Sequence, residues 1–284
     1  KYMQHKQRFT NVTLVTPYGE EDKDLLIDGD KIVDILNPNE NISDDWKIID
    51  GQNNFIFPGM IDVLQHGFLN YLYGHAEENC TVDNSKILPS VGVTGFLPST
   101  PCLPPEKTKT LLNALSNDID KAKEGARVLG IHSEGPCFAL PGAHDPKNLR
   151  NPSVPLAEEL LDACQGKLKA LTLAPEMNGS EEFIKRLKKE KISIHLGHSG
   201  ANPIDVPKFA DWGVDAVTHM YDALPTYPPD DTGVHVLSLT DALIAETRIA
   251  LGVICDGIHV HPQLVELLSL SLIHISEPTR LCRI

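Results

Sequence analysis

Twelve histidines occur in this chain of 284 residues, and several of them follow directly on short apolar runs. His132-Ser133-Glu134-Gly135-Pro136, His195-Leu196-Gly197-His198-Ser199, Thr218-His219-Met220-Tyr221-Asp222-Ala223 and Asp256-Gly257-Ile258-His259 each close one such run. Imidazoles and carboxylates bind catalytic metals and move protons near neutral pH. Glu134, His198 and His219 together offer one carboxylate and two imidazoles, a set suited to one divalent metal with an open position, zinc by preference. A metal held there acidifies water toward neutral pH and polarises a substrate carbonyl. A single histidine at the end of an apolar run is usually structural. Four polar clusters at four such ends are hard to explain as packing.

The elements that must position these residues alternate along the chain. Apolar runs at Gly59–Leu64, Val93–Leu97, Arg127–Ile131, Leu168–Ala174, Ile192–Leu196, Asp215–Thr218 and Ala250–Cys255 predict strands. Amphipathic stretches at Lys107–Lys123, Leu156–Cys164, Ser180–Lys191 and Pro203–Trp212 predict helices between them. Gly125, Gly166 and Gly213 stand where helix C-caps belong and Ser180 where an N-cap belongs. Strand–helix alternation implies a parallel sheet covered by helices, with the C-terminal strand ends on one face, where barrel enzymes place their chemistry. Seven strands are predicted where eight close a barrel. Before Phe57-Pro58-Gly59 the chain is β-rich, with strands at Thr13–Thr16 and Leu25–Ile35 broken by a hairpin at Asp28-Gly29-Asp30. That stretch is too short for an independent sandwich and calls for partner strands from elsewhere.

Leu270-Ser271-Leu272-Ile273-His274-Ile275-Ser276-Glu277-Pro278-Thr279-Arg280 reads as the translation of an adaptor used in sequencing libraries. The native sequence is accordingly expected to stop near Ser269. The expected organisation is a partial small β-domain over 1–56, a barrel over 57–269 that lacks its eighth strand, and adaptor read-through over 270–284.

Composition narrows the partners. With 25 Lys+Arg against 39 Asp+Glu, the formal net charge of −14 disfavours nucleic acid and anionic membranes. No apolar run approaches the roughly 20 residues needed to span a bilayer. The six cysteines are dispersed without a CxxC pair, which points to a reduced, cytoplasmic setting and away from a cysteine-built zinc site. Asn11-Val12-Thr13, Asn41-Ile42-Ser43 and Asn178-Gly179-Ser180 match the glycosylation pattern by chance in such a setting. Pro101–Pro105 and Pro225–Pro229 read as rigid rims, and Cys137 as a buried filler rather than a nucleophile.

The motifs resemble, in order, those of the N-acetylglucosamine-6-phosphate deacetylase family of the amidohydrolase superfamily. Besides the four clusters above, they include Pro58-Gly59-Met60-Ile61-Asp62, Gly142-Ala143-His144 and Leu173-Ala174-Pro175-Glu176. The resemblance covers nearly all of residues 10–265. It implies a (β/α)8 TIM-type barrel with a small β-domain built from both chain ends, and a homodimer in the full-length protein. It implies that Glu134, His198 and His219 hold the metal and that His144 polarises an acetyl carbonyl. His66, Ala143, Asp222, Ala223 and His259 would line the substrate. The implied reaction is hydrolysis of an N-acetyl amide on an amino sugar, releasing acetate. The family's general base is an Asp on the eighth strand. Since that strand is missing here, the chain alone is expected to be inactive and poorly stable.

Three departures from the family pattern bear on chemistry. Leu64-Gln65-His66 replaces a His-x-His pair, which favours a mononuclear centre. His66 is then a substrate contact, a weak ligand or simply structural. Asp222-Ala223 stands in place of Asn-Ala, and Asp230-Asp231 lies where the family places a phosphate-binding Arg. No Lys or Arg occurs between Lys208 and Arg248, so a phosphate there would meet uncompensated carboxylates unless Lys147 and Arg150 offset them. The alternatives are a related amidohydrolase acting on a non-phosphorylated amide and a non-catalytic scaffold of the same fold.

Overall fold

A computed structural model of the chain describes residues 6–43, 45–69, 71–75, 79–225 and 233–273. Asp230-Asp231, most of the Pro225–Pro229 loop and the tail beyond Ile273 lie outside the described residues. The chain divides into two compact units, Lys1–Gly59 and Met60–Ile284.

The first unit is a five-stranded sheet of β1 (Lys6–Thr16), β2 (Gly19–Asp22), β3 (Asp24–Asp28), β4 (Lys31–Leu36) and β5 (Lys47–Ile56). β1 pairs antiparallel with β2 and β3 along one side and parallel with β5 along the other. The hairpin between β3 and β4 turns at Gly29-Asp30, with Gly29 at φ +64°, as the Asp-Gly-Asp signal predicts. Alternation in β1 turns Val12 and Leu14 toward Leu25, forming a core of only three buried side chains. Beside it Arg8 is buried against Asp24, donating from Nε at 2.7 Å and from Nη1 to the Glu40 carbonyl at 2.8 Å.

The second unit carries β6 (Met60–Gln65), the short hairpin β7 (Gly67–Phe68) and β8 (Tyr71–Leu72), β9 (Val93–Thr100), β10 (Arg127–Val128), β11 (Ile131–Glu134), β12 (Leu168–Leu173), β13 (Ser193–Leu196), β14 (Val214–Val217) and β15 (Ala250–Leu251). β10 and β11 both pair parallel with β9 and are two stretches of one strand interrupted at Leu129-Gly130. Counted so, seven strands form one curled parallel sheet in chain order, β6-β9-β10/β11-β12-β13-β14-β15. This is the (β/α)8-type barrel with seven strands. Among the described residues no further strand joins β15 to β6.

The helices are α1 (Cys80–Ile87), α2 (Pro105–Lys121), α3 (Val154–Ala163), α4 (Ser180–Lys189), α5 (Val206–Trp212), α6 (Leu239–Ala245) and α7 (Pro262–Ile273). Each of the middle ones buries residues at helical spacing: Leu111, Leu112 and Leu115 in α2, Leu156 and Leu160 in α3, Phe183, Ile184 and Leu187 in α4. These meet Ile131, Leu171, Leu173, Ile194 and Leu196 of the strands in one continuous core. Gly213 closes α5 in the left-handed conformation, as expected. Ser180 does not cap α4. Gly179 holds that position at φ +92°, and the Ser180 hydroxyl turns back to the Ala174 carbonyl at 3.3 Å. Nor do Gly125 and Gly166 cap their helices, for Ala122 caps α2 and Cys164 caps α3, and the glycines follow in the loops.

A buried polar line ties four strands together below the site. His132, fully buried, donates from Nδ1 to the Val63 carbonyl of β6, so its Nε2 accepts from the Thr172 hydroxyl of β12 at 2.7 Å. Thr172 in turn accepts from the Thr218 hydroxyl at 2.7 Å. His195 packs edge-on against His132 with centroids 4.8 Å apart. Burial drives the His132 pKa down to about 4, and burial, then the neighbouring His132, drive that of His195 well below its ordinary value. Both rings are therefore neutral in the folded chain, while in the unfolded chain they protonate below about pH 6.5. Stability is full above pH 6.5 and falls as pH drops toward 4, because the unfolded state then binds more protons. The His132 shift alone predicts a loss of about 2 kcal/mol between pH 7 and pH 5. Urea unfolding at the two pH values checks this, and His132→Gln is expected to lose less between them than the parent.

Candidate metal centre

Four strand ends converge on one carboxylate. Glu134 is the last residue of β11 and only 3% exposed. Its Oε1 lies 3.4 Å from His198 Nε2, just beyond β13, and 3.2 Å from His219 Nε2, just beyond β14. Its Oε2 lies 3.1 Å from His66 Nε2, just beyond β6, and 3.3 Å from His144 Nε2, in the loop after β11. Burial by itself raises the Glu134 pKa. Hydrogen bonds with His144, His198, His219 and His66 outweigh it and hold the carboxyl far below the usual range. Burial opposes protonation of His66, but Glu134 beside it prevails and its pKa is raised.

Glu134, His198 and His219 fit a divalent metal. Each offers one ligand atom, and the three atoms lie close together. The two imidazole Nε2 atoms are 3.1 Å apart. A tetrahedral ion with bonds of about 2.0–2.1 Å separates its ligands by about 3.3 Å, and the observed separations of 3.1, 3.2 and 3.4 Å match one face of that tetrahedron. His198 donates from Nδ1 to the Leu140 carbonyl at 3.0 Å, which fixes the ring with Nε2 aimed at Glu134 and His219. His219 Nδ1 is buried without a partner among the described residues. His144 is set the other way. Its Nδ1 accepts the Cys102 backbone N–H at 3.3 Å, so its Nε2 carries the proton and is a donor.

The remaining residues singled out in the sequence fall around this group. Ala143 is exposed beside His144. Asp222 and Ala223 lie in the turn after His219, closed by the Asp222 N–H to the His219 carbonyl at 2.9 Å. Asp222 Oδ2 is buried without a partner among the described residues. His259 is not drawn into the Glu134 group. It stands exposed after β15, its Nδ1 2.7 Å from Asp256 Oδ2. Cys137 is fully buried, and burial pushes its thiol up to about 12, which suits a filler and not a nucleophile.

Two features have no counterpart in the sequence reading. Phe138 stacks on His198, with centroids 4.1 Å apart and planes 21° from parallel, and leans on His144 at 5.2 Å. An aromatic four residues past Glu134 was the available signal. Gln65, the last residue of β6, is buried with Oε1 unpartnered.

Fold and site together define a barrel of the amidohydrolase superfamily. No protein-family model matches the chain. The N-acetylglucosamine-6-phosphate deacetylase of Danio rerio is 30% identical over 267 residues, which is 90% of this chain and 65% of that protein. The crystal structure of the Thermotoga maritima N-acetylglucosamine-6-phosphate deacetylase superposes with a TM-score of 0.75 at 30% identity, over 93% of this chain and 67% of that one. The structure of a mutant of the Mycobacterium smegmatis N-acetyl-D-glucosamine-6-phosphate deacetylase, in complex with N-acetyl-D-glucosamine-6-phosphate, reaches a TM-score of 0.82 at 23% identity over 94% and 68%, a likeness of fold. The chain belongs to the N-acetylglucosamine-6-phosphate deacetylase family. It spans 65% of the length of the Danio rerio relative.

Gly142 is a point of close approach to the ligand set. It sits at φ +56°, and a Cβ there would lie 2.8 Å from His198 Cε1. Gly142→Ala is expected to displace the ring and weaken divalent-metal affinity about tenfold while the fold persists. Zinc titration of the metal-free chain against a competing chelator checks this.

Proposed function

We propose that this chain is the metal-binding part of a deacetylase that hydrolyses the N-acetyl amide of an amino sugar, releasing acetate, with zinc on Glu134, His198 and His219. The observation that carries the reading is the spacing of those three candidate ligand atoms, with the His198 ring fixed through Nδ1 so that Nε2 faces the other two. Zinc is favoured by two imidazoles and one carboxylate at tetrahedral separations. When bound, the metal supplies Lewis acidity to water and to the carbonyl. The chain's own residues do the rest. His144, donor at Nε2 and 12% exposed, is placed to hydrogen-bond the amide oxygen as negative charge develops on it. Phe138 keeps His144 and His198 in register and covers the latter from solvent. His66, 43% exposed at the rim beside Glu134, is open to a sugar hydroxyl. The acid–base Asp that the family resemblance puts on an eighth strand is not among the described residues. Acetate release therefore tests the reaction in a protein whose barrel includes that strand, and metal binding tests this chain. Dispersed free cysteines support a cytoplasmic setting. Among the described residues no helix is long and apolar enough to cross a membrane.

After purification in zinc, the chain is expected to carry one equivalent of metal by elemental analysis. His198→Ala and His219→Ala are each expected to carry almost none. Full zinc occupancy in both variants would overturn the ligand set, and a parent without metal would favour the scaffold reading.

A second reading of the substrate is favoured by Asp222. Its buried Oδ2, without a partner among the described residues, suits acceptance of a neutral hydroxyl, not proximity to a phosphate. Arg150 is held by Glu159 through two hydrogen bonds, and Arg248 by Glu246 and Asp211. On this reading zinc-loaded protein binds N-acetylglucosamine at least as well as its 6-phosphate, and Asp222→Asn shifts the ratio toward the phosphate severalfold. Calorimetric titration with both sugars checks it. A strong preference of the parent for the phosphorylated sugar returns the assignment to the 6-phosphate.

A further inference from the structure

The motif Leu173-Ala174-Pro175-Glu176 plays no part in the metal ligation or carbonyl contact described above. It follows β12, and its carboxylate reaches across to the loop that follows β13. Glu176 Oε2 accepts the Ser199 hydroxyl at 2.8 Å, and Oε1 accepts the Gly200 backbone N–H at 2.7 Å. Ser199 is fully buried, and its Oγ in turn accepts the Ala201 N–H at 3.1 Å. Both carboxylate oxygens are thus spent on the two residues immediately after the metal-ligand candidate His198.

That location matters because His198 is not held by regular structure. β13 ends at Leu196, and His198 sits at φ +52°, a left-handed conformation that a non-glycine residue adopts only when its surroundings impose it. On its N-terminal side the Gly197 N–H is bonded to the Leu173 carbonyl at 3.1 Å. The His198 carbonyl accepts the N–H groups of Ala139 and Leu140 at 3.1 and 2.9 Å. On its C-terminal side the hold comes from Glu176. The Glu176 segment is itself anchored, by the Ala174 N–H to the Cys137 carbonyl at 2.8 Å. A rigid clamp across β12 and β13 therefore fixes the backbone from which the imidazole projects.

We propose that Glu176 is a positioning residue for the metal centre. Through Ser199 and Gly200 it locks the loop after β13, so that His198 Nε2 faces Glu134 and His219 before any metal arrives. The inference rests on the metal reading above and extends it to a side chain that touches neither metal nor substrate. Pre-organised ligands bind more tightly because the ordering cost is met in folding, and supporting side chains around metal sites change affinity by about 10–100-fold when removed.

The test compares zinc affinity, by chelator competition, in the full 284-residue chain and its variants, with the melting temperature of each metal-free form. Glu176→Ala is expected to weaken zinc binding about tenfold and to alter the visible spectrum of the cobalt-substituted chain. Glu176→Gln retains an acceptor for Gly200 and is expected to stay within about threefold of the parent. Glu158→Ala, which breaks the ion pair with Arg186 between α3 and α4, is the control for a stability loss elsewhere and should leave affinity unchanged. If Glu176→Ala does not fold, Ser199→Ala removes one arm of the clamp and is expected to weaken binding severalfold. Parent-like zinc affinity and cobalt spectrum in Glu176→Ala, or in Ser199→Ala where that variant is used, would overturn the proposal. A parent chain that binds no zinc would overturn the metal reading instead.

Discussion

A single buried carboxylate organises the second unit. Glu134 is nearly inaccessible to water, and an isolated ion in that position would be strongly disfavoured. It stays ionised because four imidazoles from four different chain segments are aimed at it. Those rings come from positions 66, 144, 198 and 219, so satisfying one charge requires β6, β11, β13 and β14 to end at one level. The requirement runs both ways. With Glu134 neutral or absent, four imidazoles crowd a pocket that no other carboxylate among the described residues is shown to fill. A divalent cation resolves the arrangement better than any single proton can, since His198 and His219 face one another through Nε2 atoms only 3.1 Å apart. A metal held there would impose the same constraint as the fold, so that each would stabilise the other.

The strand order explains how so many segments arrive together. In a parallel barrel the chain returns to the same end after each helix, and each C-terminal strand end delivers one or two residues to a common face. The polar line through Val63, His132, Thr172 and Thr218 then ties β6, β11, β12 and the end of β14 together one layer beneath the candidate site. His132 differs from the site histidines in its surroundings alone: without an adjacent ion pair, burial makes it a neutral spacer. Identical side chains thus serve as structure at position 132 and as candidate chemistry at 134's other neighbours.

Much of this was legible in the sequence because the signals were local. Apolar runs of the right length, each followed by a polar cluster, mark strand ends whatever the helices between them do. The seven strands and the Glu134–His198–His219 set rest on such runs, whereas His144 came from the family resemblance alone. What stayed hidden depends on the third dimension. β5 carries Gly51-Gln52-Asn53-Asn54 in mid-strand, residues that argue for a loop, and forms because β1 offers a parallel edge. His66 could be read as contact, ligand or packing until its Nε2 was seen 3.1 Å from Glu134. Phe138 is the surface on which two imidazoles rest, a placement that only the fold reveals. Ser180 satisfied the composition rule for an N-cap, but Gly179 could take the left-handed backbone the turn required.

The loops beyond the strands show where the fold accepts strain in exchange for that convergence. His198, His219, Tyr221 and Ala223 all have positive φ, at 52°, 36°, 80° and 49°. Each such residue costs on the order of 1–3 kcal/mol, and natural folds keep them only where neighbours over-determine the backbone. Here the neighbours are identifiable. Two N–H groups hold the His198 carbonyl, Glu176 holds the residues after it, and the Met220 N–H reaches the Gly252 carbonyl at 2.6 Å. The turn at Asp222 closes on the His219 carbonyl. Regular strands cannot bend two imidazoles toward one carboxylate within three residues of their ends; left-handed residues can. Left-handed backbone also occurs elsewhere, at Leu69, Gln165 and Lys191 among others, but in the two segments that present His198 and His219 it turns parallel strand ends toward one carboxylate.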